Sequence, residues 1–225
     1  MKELMTVFAA CAIAGAAVAA DSNIVGYVNT DGNDGATLIA PMFIECGGSD
    51  TTLGMITGEF EEWADTLQIL DDTLAMATIY FWADVGAGPV WTSDGATDDS
   101  TITIPRGAGV VVSKSTATIF CAGEVEMGSV VIPCGSGATA LGNPTPVKIK
   151  LGDINFSDLE EWSDTLQLLD GSLAMATIYF WADVGSGPVW TSDGATDDST
   201  VELAPGAGFV LSSMNGSTVT FPAAL

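Results

Sequence analysis

The chain repeats itself. Glu62 to Thr101 matches Glu161 to Thr200 at an offset of 99 residues, with 35 of 40 positions identical. A repeat this close means one structural unit used twice, so any fold proposed for the first half has to serve the second. Weaker similarity extends to both sides: Gly107-Ala108-Gly109 returns as Gly206-Ala207-Gly208, and Gly35-Ala36-Thr37 returns as Gly137-Ala138-Thr139 at an offset of 102. Gly26-Tyr27-Val28 then aligns with Gly128-Ser129-Val130. These alignments divide the chain into a leader at 1–20 and two repeat domains at 21–123 and 124–225. Each domain has roughly 100 residues, enough for a small core of its own. The middle of the repeat is far better kept than its flanks, through re-copying or through constraint.

Each unit reads as β. In Thr73 to Trp82, alternation places Leu74, Met76, Thr78, Tyr80 and Trp82 on one face and Ala75, Ala77, Ile79 and Phe81 on the other. Both faces are apolar, which suits a strand in the middle of a sandwich or at a domain interface. Further strands are expected at Ile24–Asn29, Thr37–Ile44, Leu67–Leu70, Pro89–Thr92, Thr101–Ile104, Gly109–Ser113 and Thr116–Cys121. Gly, Pro, Asp and Asn clusters separate them, as in an antiparallel sandwich or barrel. Glu59 to Leu70 has an alternative as a short helix, since Phe60, Trp63, Leu67 and Leu70 follow helical spacing. The expected fold class is all-β: two tandem antiparallel sandwich or barrel-like domains behind a cleaved leader.

The first twenty residues point to export. Lys2 precedes an apolar stretch from Leu4 to Ala20 that ends in Ala17-Val18-Ala19-Ala20 before Asp21, the pattern of a signal peptide with a small-residue cleavage site. The stretch is mostly Ala and is interrupted by Thr6, which suits a bilayer-spanning anchor poorly. Lipidation at Cys11 would require cleavage after Phe8-Ala9-Ala10 and would leave a very short apolar core. The expectation is therefore a secreted protein at the cell surface, in the extracellular matrix or in the periplasm, with no membrane insertion after cleavage.

Charge narrows the partners. Past residue 20 only Arg106, Lys114, Lys148 and Lys150 are basic, and the net charge of the chain is −24. Such a surface repels nucleic acid and anionic lipid and attracts cations. The hydrophobic fraction of 48%, with six Trp and nine Phe, is that of a folded acidic protein rather than an unstructured one. Three cysteines remain past the leader, Cys46, Cys121 and Cys134. An odd count in an exported chain implies one bridge with a free thiol, or a bond between chains, and spacing does not choose the pair.

The order of short motifs resembles a family. Ser22-Asn23-Ile24-Val25-Gly26-Tyr27-Val28 behind a leader, Gly35 to Pro41, Asp65 to Asp71, Gly88 to Trp91 and the closing Pro105-Arg106-Gly107-Ala108-Gly109-Val110-Val111-Val112 are similar to those of a family of secreted β domains. These domains are abundant in bacteria of the Planctomycetes–Verrucomicrobia assemblage. The closing motif is better kept in the second copy, as Pro205-Gly206-Ala207-Gly208-Phe209-Val210-Leu211. The resemblance implies an exported surface or matrix protein and brings no catalytic residue with it.

The residues themselves favour binding or structure over catalysis. The chain has no His, which removes the commonest general base and the usual zinc ligand. Glu61-Glu62 and Glu160-Glu161 could pair for glycoside chemistry but read better as solvated faces. Gly107-Ala108-Gly109 lacks the remaining Gly and the helix of a phosphate loop. Two features recur as candidate sites. The first is the loop carrying Asp94, Asp98 and Asp99, repeated as Asp193, Asp197 and Asp198, whose oxygen-only ligands would suit Ca²⁺ if they converge. Asp31-Gly32-Asn33-Asp34-Gly35 is a weaker version without a counterpart. The second is the set Trp82, Trp91, Trp181 and Trp190, which could stack on sugar rings. The competing expectations are turn chemistry for the first and core packing for the second. The function expected is a non-enzymatic structural or adhesive protein that self-associates or joins other surface proteins in a calcium-responsive way. The alternative is a glycan-binding module.

Overall fold

The computed structural model describes residues 25–31, 35–45, 51–70, 74, 76–114, 118–125, 127–169, 173 and 175–223. The leader with its cleavage point, Cys11, Cys46 and the 32–34 loop lie outside them. The first half contains β1 (Val25–Asp31), β2 (Gly35–Ile39), β3 (Thr51–Thr52), β4 (Ile56–Gly58), β5 (Thr66–Leu70), β6 (Met76–Asp84), β7 (Pro89–Thr92), β8 (Thr103–Ile104), β9 (Val110–Lys114) and β10 (Thr118–Glu124). The second repeats the series as β11 (Val130–Cys134), β12 (Gly137–Gly142), β13 (Ile149–Lys150), β14 (Asn155–Phe156), β15 (Thr165–Leu169), β16 (Met175–Asp183), β17 (Pro188–Thr191), β18 (Glu202–Leu203), β19 (Gly208–Ser213) and β20 (Ser217–Phe221). The fold is mostly β and antiparallel, and no described helix is long and apolar enough to cross a membrane.

No sheet mixes strands from the two halves. A five-stranded sheet in the order β2-β9-β5-β6-β7 faces a three-stranded sheet β1-β10-β4, and the second half has β12-β19-β15-β16-β17 and β11-β20-β14 in the same arrangement. The sheets stay open, so each unit is a sandwich and not a closed barrel. Strand alternation fills it. Leu67 on β5, Tyr80 on β6, Trp91 on β7, and Val110 and Val112 on β9 point inward to meet Ile119 and Cys121 of β10. The second core holds the equivalents Leu166, Tyr179, Trp190, Phe209 and Leu211, met by Val219 and Phe221.

The intervening residues of the five-stranded sheets point the other way and join the halves. Their shared cluster consists of Ala36, Leu38, Leu70, Leu74 and Val111 with Ala138, Ala140, Leu169, Leu173 and Val210. Under the repeat alignment these are five equivalent pairs, so each half offers the same patch to the other. Backbone contacts obey the same relation. The bridge Ile39↔Ala207 is matched by Leu141↔Ala108, and the 2.9 Å bond from Ala40 N–H to the Gly206 carbonyl is matched by the 3.1 Å bond from Gly142 N–H to the Gly107 carbonyl. A patch that meets its own equivalent in this reciprocal way is an isologous interface, here within one chain. Glycine makes the approach close enough. A Cβ on Gly208 would lie 2.5 Å from Leu38 Cγ, and one on its equivalent Gly109 would lie 3.0 Å from Ala140 Cβ.

The structure closes one alternative, moves one strand boundary and removes one of the open cysteine pairings. Glu59 to Leu70 is not helical: Thr66–Leu70 is a strand, Ala64 and Asp65 donate to the Glu61 carbonyl in a turn, and Trp63 has φ of 62°, which a right-handed helix does not admit. The long strand begins at Met76 rather than Thr73, and the β5–β6 register slips between Ile69 and Leu70. Leu74, at φ 60°, consequently leaves the face of Tyr80 and Trp82 and packs between the halves. Finally, Cys121 and Cys134 are not bonded to each other. They are buried in different cores, and burial pushes the Cys121 thiol up to about 11.

Candidate functional site

The acidic loop leaves β7 and is held by its own carboxylates. Asp94 Oδ1 accepts the N–H groups of Ala96 and Thr97, both at 2.8 Å, and its Oδ2 accepts the Thr97 hydroxyl at 2.9 Å. Asp99 Oδ2 accepts both the N–H and the hydroxyl of Ser93 at 2.7 Å, while Asp98 Oδ1 accepts the Ser100 N–H at 2.9 Å. Asp193, Asp198 and Asp197 repeat the arrangement with Ala195, Thr196, Ser192 and Ser199. These are Asx-type turns, in which a short carboxylate replaces a strand partner for otherwise free N–H groups. Because the N–H groups of Ala96 and Thr97 stabilise the charged form, the Asp94 carboxyl is held down to about 2, and Asp193 is held to about 2 in the same way. The Ser100 hydroxyl and N–H also lower Asp98, as those of Ser199 lower Asp197.

This geometry corrects the calcium expectation. Each of Asp94, Asp98, Asp99, Asp193, Asp197 and Asp198 addresses a different segment of its own turn, and no three acidic or cysteine side chains among the described residues come together as a metal site. A Ca²⁺ site needs six to eight oxygens converging on one point.

The tryptophan expectation is corrected too. Trp91 and Trp190 are 0% and 1% exposed and belong to the cores, so neither ring offers a face to a sugar. Trp82 and Trp181 are half-buried and pack edge-on against them, with ring centres 5.2 Å and 5.3 Å apart. The exposed rings are those of Trp63 and Trp162, each 57% accessible. Both sit at φ 62°. Their backbone N–H groups donate to the Trp82 and Trp181 carbonyls at 2.8 Å, which continues the sheet past β5 and β15 and fixes the indole outside. The Trp63 ring leans on Phe81 at 6.2 Å and lies over Gly95, where a Cβ would come within 2.6 Å of Cη2. Trp162 repeats this with Phe180 at 6.5 Å and Gly194 at 2.9 Å.

Gly95 is therefore required twice over, by its φ of 75° and by the ring above it. The acidic loop acts as the support under an exposed indole. Sequence reasoning missed Trp63 and Trp162 because neither fell in an expected strand, and the one alternative that included Trp63 put it in an apolar helical stripe. The signal available was Asp65, which accepts the Glu61 N–H at 2.7 Å and closes the turn that turns Trp63 outward. In the second copy Asp158, Glu160, Glu161 and Asn215 line a shallow hollow directly ahead of Trp162 in the chain. A second cavity, about 310 Å³, lies at the seam between Ile69, Leu70 and Ala108 of one half and Ile132, Ala140 and Leu141 of the other. No protein-family model, curated protein or solved structure matches this chain.

Proposed function

We propose that this is an exported, non-enzymatic structural or adhesive protein of the cell surface or extracellular matrix, which holds its surroundings through two copies of one contact surface centred on Trp63 and Trp162. The observation that carries the reading is the paired exposure of these indoles on a left-handed backbone. A bulky non-glycine residue at positive φ costs on the order of 1–3 kcal/mol, and it is retained where the surrounding structure and its use require it. Two equal contacts on one body raise avidity without any new chemistry. The leader pattern and the resemblance to exported β domains support the location.

A second reading is favoured by the same rings: glycan binding, with Trp63 and Trp162 taking the stacking role first considered for Trp82, Trp91, Trp181 and Trp190. Fractionation of an expressing bacterium tests both. Wild-type protein should be retained on cells and released by the double variant Trp63→Ala/Trp162→Ala with its circular dichroism unchanged. Equal release of wild type and variant into the medium, or retention of both inside the cell, would overturn the proposal. Quenching of indole fluorescence by soluble oligosaccharides, lost in the double variant, would select the glycan reading.

A further inference from the structure

We propose that the face joining the two halves also joins separate chains: the first unit of one molecule pairs with the second unit of another, giving exchanged dimers and open-ended chains. The partner is a second copy of this protein. This inference rests on the seam alone and stands whichever ligand the exposed indoles take.

The seam is built from two equivalent patches, so nothing in its chemistry distinguishes a partner on the same chain from one on another. Five residue pairs, the matched bridges and the matched glycine approaches recur on both sides of it. Each unit has a separate core and separate sheets, so the seam can open without dismantling either sandwich. Covalently, the two units are joined by a short connection, from the end of β10 at Glu124 to the start of β11 at Val130. Opening at such a hinge and re-pairing with a neighbour is exchange of an identical element, a low-cost route to oligomers.

The two patches differ at one position that decides which units pair. Leu38 stands where the second unit has Ala140, and both side chains border Gly109. A first unit meeting a second brings one large and one small residue together, whereas two first units would bring two Leu and two second units would leave a void. Pairing of unlike units is preferred, and across chains this is a heterologous contact that closes as an exchanged dimer or continues as a filament.

Shortening the hinge tests the inference on the full chain. Deleting Met127–Ser129 strains closure within one molecule and leaves both patches intact. Size-exclusion chromatography with light scattering should then show at least a twofold rise in mass, and mixing with ¹⁵N-labelled chains should give dimers containing both isotopes. Adding Gly208→Val, which places a side chain against Leu38, should abolish the rise. A shortened chain that stays monomeric overturns the inference, as does one that oligomerises equally with Gly208→Val. If the deletion abolishes the β signal in circular dichroism, the unaltered chain decides: concentrated, warmed to just below its Tm and cooled, it should yield mixed-isotope dimers, and monomer alone refutes exchange. The swap Leu38→Ala/Ala140→Leu adds a positive control. Equivalent positions should tolerate exchange of their residues, restoring the Tm that either single change lowers.

Discussion

In the first half Trp91 donates its indole N–H to the Ile56 carbonyl at 2.8 Å, and Phe60 packs edge-on against it at 4.9 Å. In the second half the same tryptophan, Trp190, is covered by Phe156 at 5.2 Å, and its buried N–H meets no acceptor among the described residues. The strands carrying both rings lie in the nearly identical block, so the difference comes from the flank. Strand β4 begins at Ile56, whereas β14 begins at Asn155, one place beyond the corresponding Ile154. Phe60 and Phe156 are not equivalent residues, yet each supplies an aromatic lid for the same slot. Volume was kept while the polar pairing was lost, as expected when apolar filling can be met from several positions but a hydrogen bond needs one.

The largest effect expected is the loss of either ring. Trp91→Ala or Trp190→Ala should destabilise the chain by about 3–5 kcal/mol through the cavity left behind. Phenylalanine sharpens the comparison. Trp91→Phe strands the Ile56 carbonyl and should cost about 1–3 kcal/mol more than Trp190→Phe, which breaks no bond. Urea denaturation followed by circular dichroism measures both, and equal costs would break the contrast.

Next in size is Asn143. It is fully buried, its amide lies 2.8 Å, 3.3 Å and 3.1 Å from the carbonyls of Val147, Leu203 and Ala204, and its oxygen accepts the N–H and hydroxyl of Thr145. Asn143→Ala should cost about 1–3 kcal/mol, since these partners lose their bonds in a buried place. Pro41→Ala, at the equivalent position, loses packing only and should lower the Tm less.

The acidic loops should give equal and smaller effects in both halves. The folded-state carboxyls of Asp94 and Asp193 stand at about 2, below their ordinary 3.8, so the stabilisation they provide is complete above about pH 4 and is lost as the pH falls toward 2. Thermal unfolding across that window should show a declining Tm in wild type and a flatter profile in Asp94→Asn/Asp193→Asn. The smallest change is expected for Trp63→Gly and Trp162→Gly. Relief of the positive φ offsets the lost ring contacts, leaving each within about 1 kcal/mol of wild type. A clear difference between these two variants would mean that the repeated block is not energetically equivalent in its two settings.

The sandwich was legible in the sequence because alternation over Val110 to Val112, or Leu67 to Ile69, is a one-dimensional signal of a two-faced strand. The second face was legible as apolar, and an interface was one of its two readings. That this interface pairs equivalent residues is not written locally, because it depends on how two units sit in space. Leu74 was assigned to the wrong face because the strand starts only at Met76 and its register slips at Leu70, so the alternation read from Tyr80 and Trp82 does not carry through to it. The candidate site failed for a different reason. Asp, Gly and Thr in a loop have the same composition whether their oxygens converge on an ion or turn back to their own N–H groups. Only the direction of Asp94, Asp98 and Asp99 separates the two. Exposure of an indole has the same dependence, and Trp63 is turned outward by a local turn and not by its hydropathy.

The short edge strands β7 and β17 have a bearing on solubility. Each has four residues, opens with Pro89 or Pro188 and lies at the outer margin of its five-stranded sheet. Proline presents no N–H to an incoming strand, and Asp84 and Asp183 beside them fold back to bind glycine N–H groups of the hairpin. A neighbouring chain therefore finds little ladder to extend on this side, and lateral growth of these sheets into cross-β aggregate is blocked at its first step.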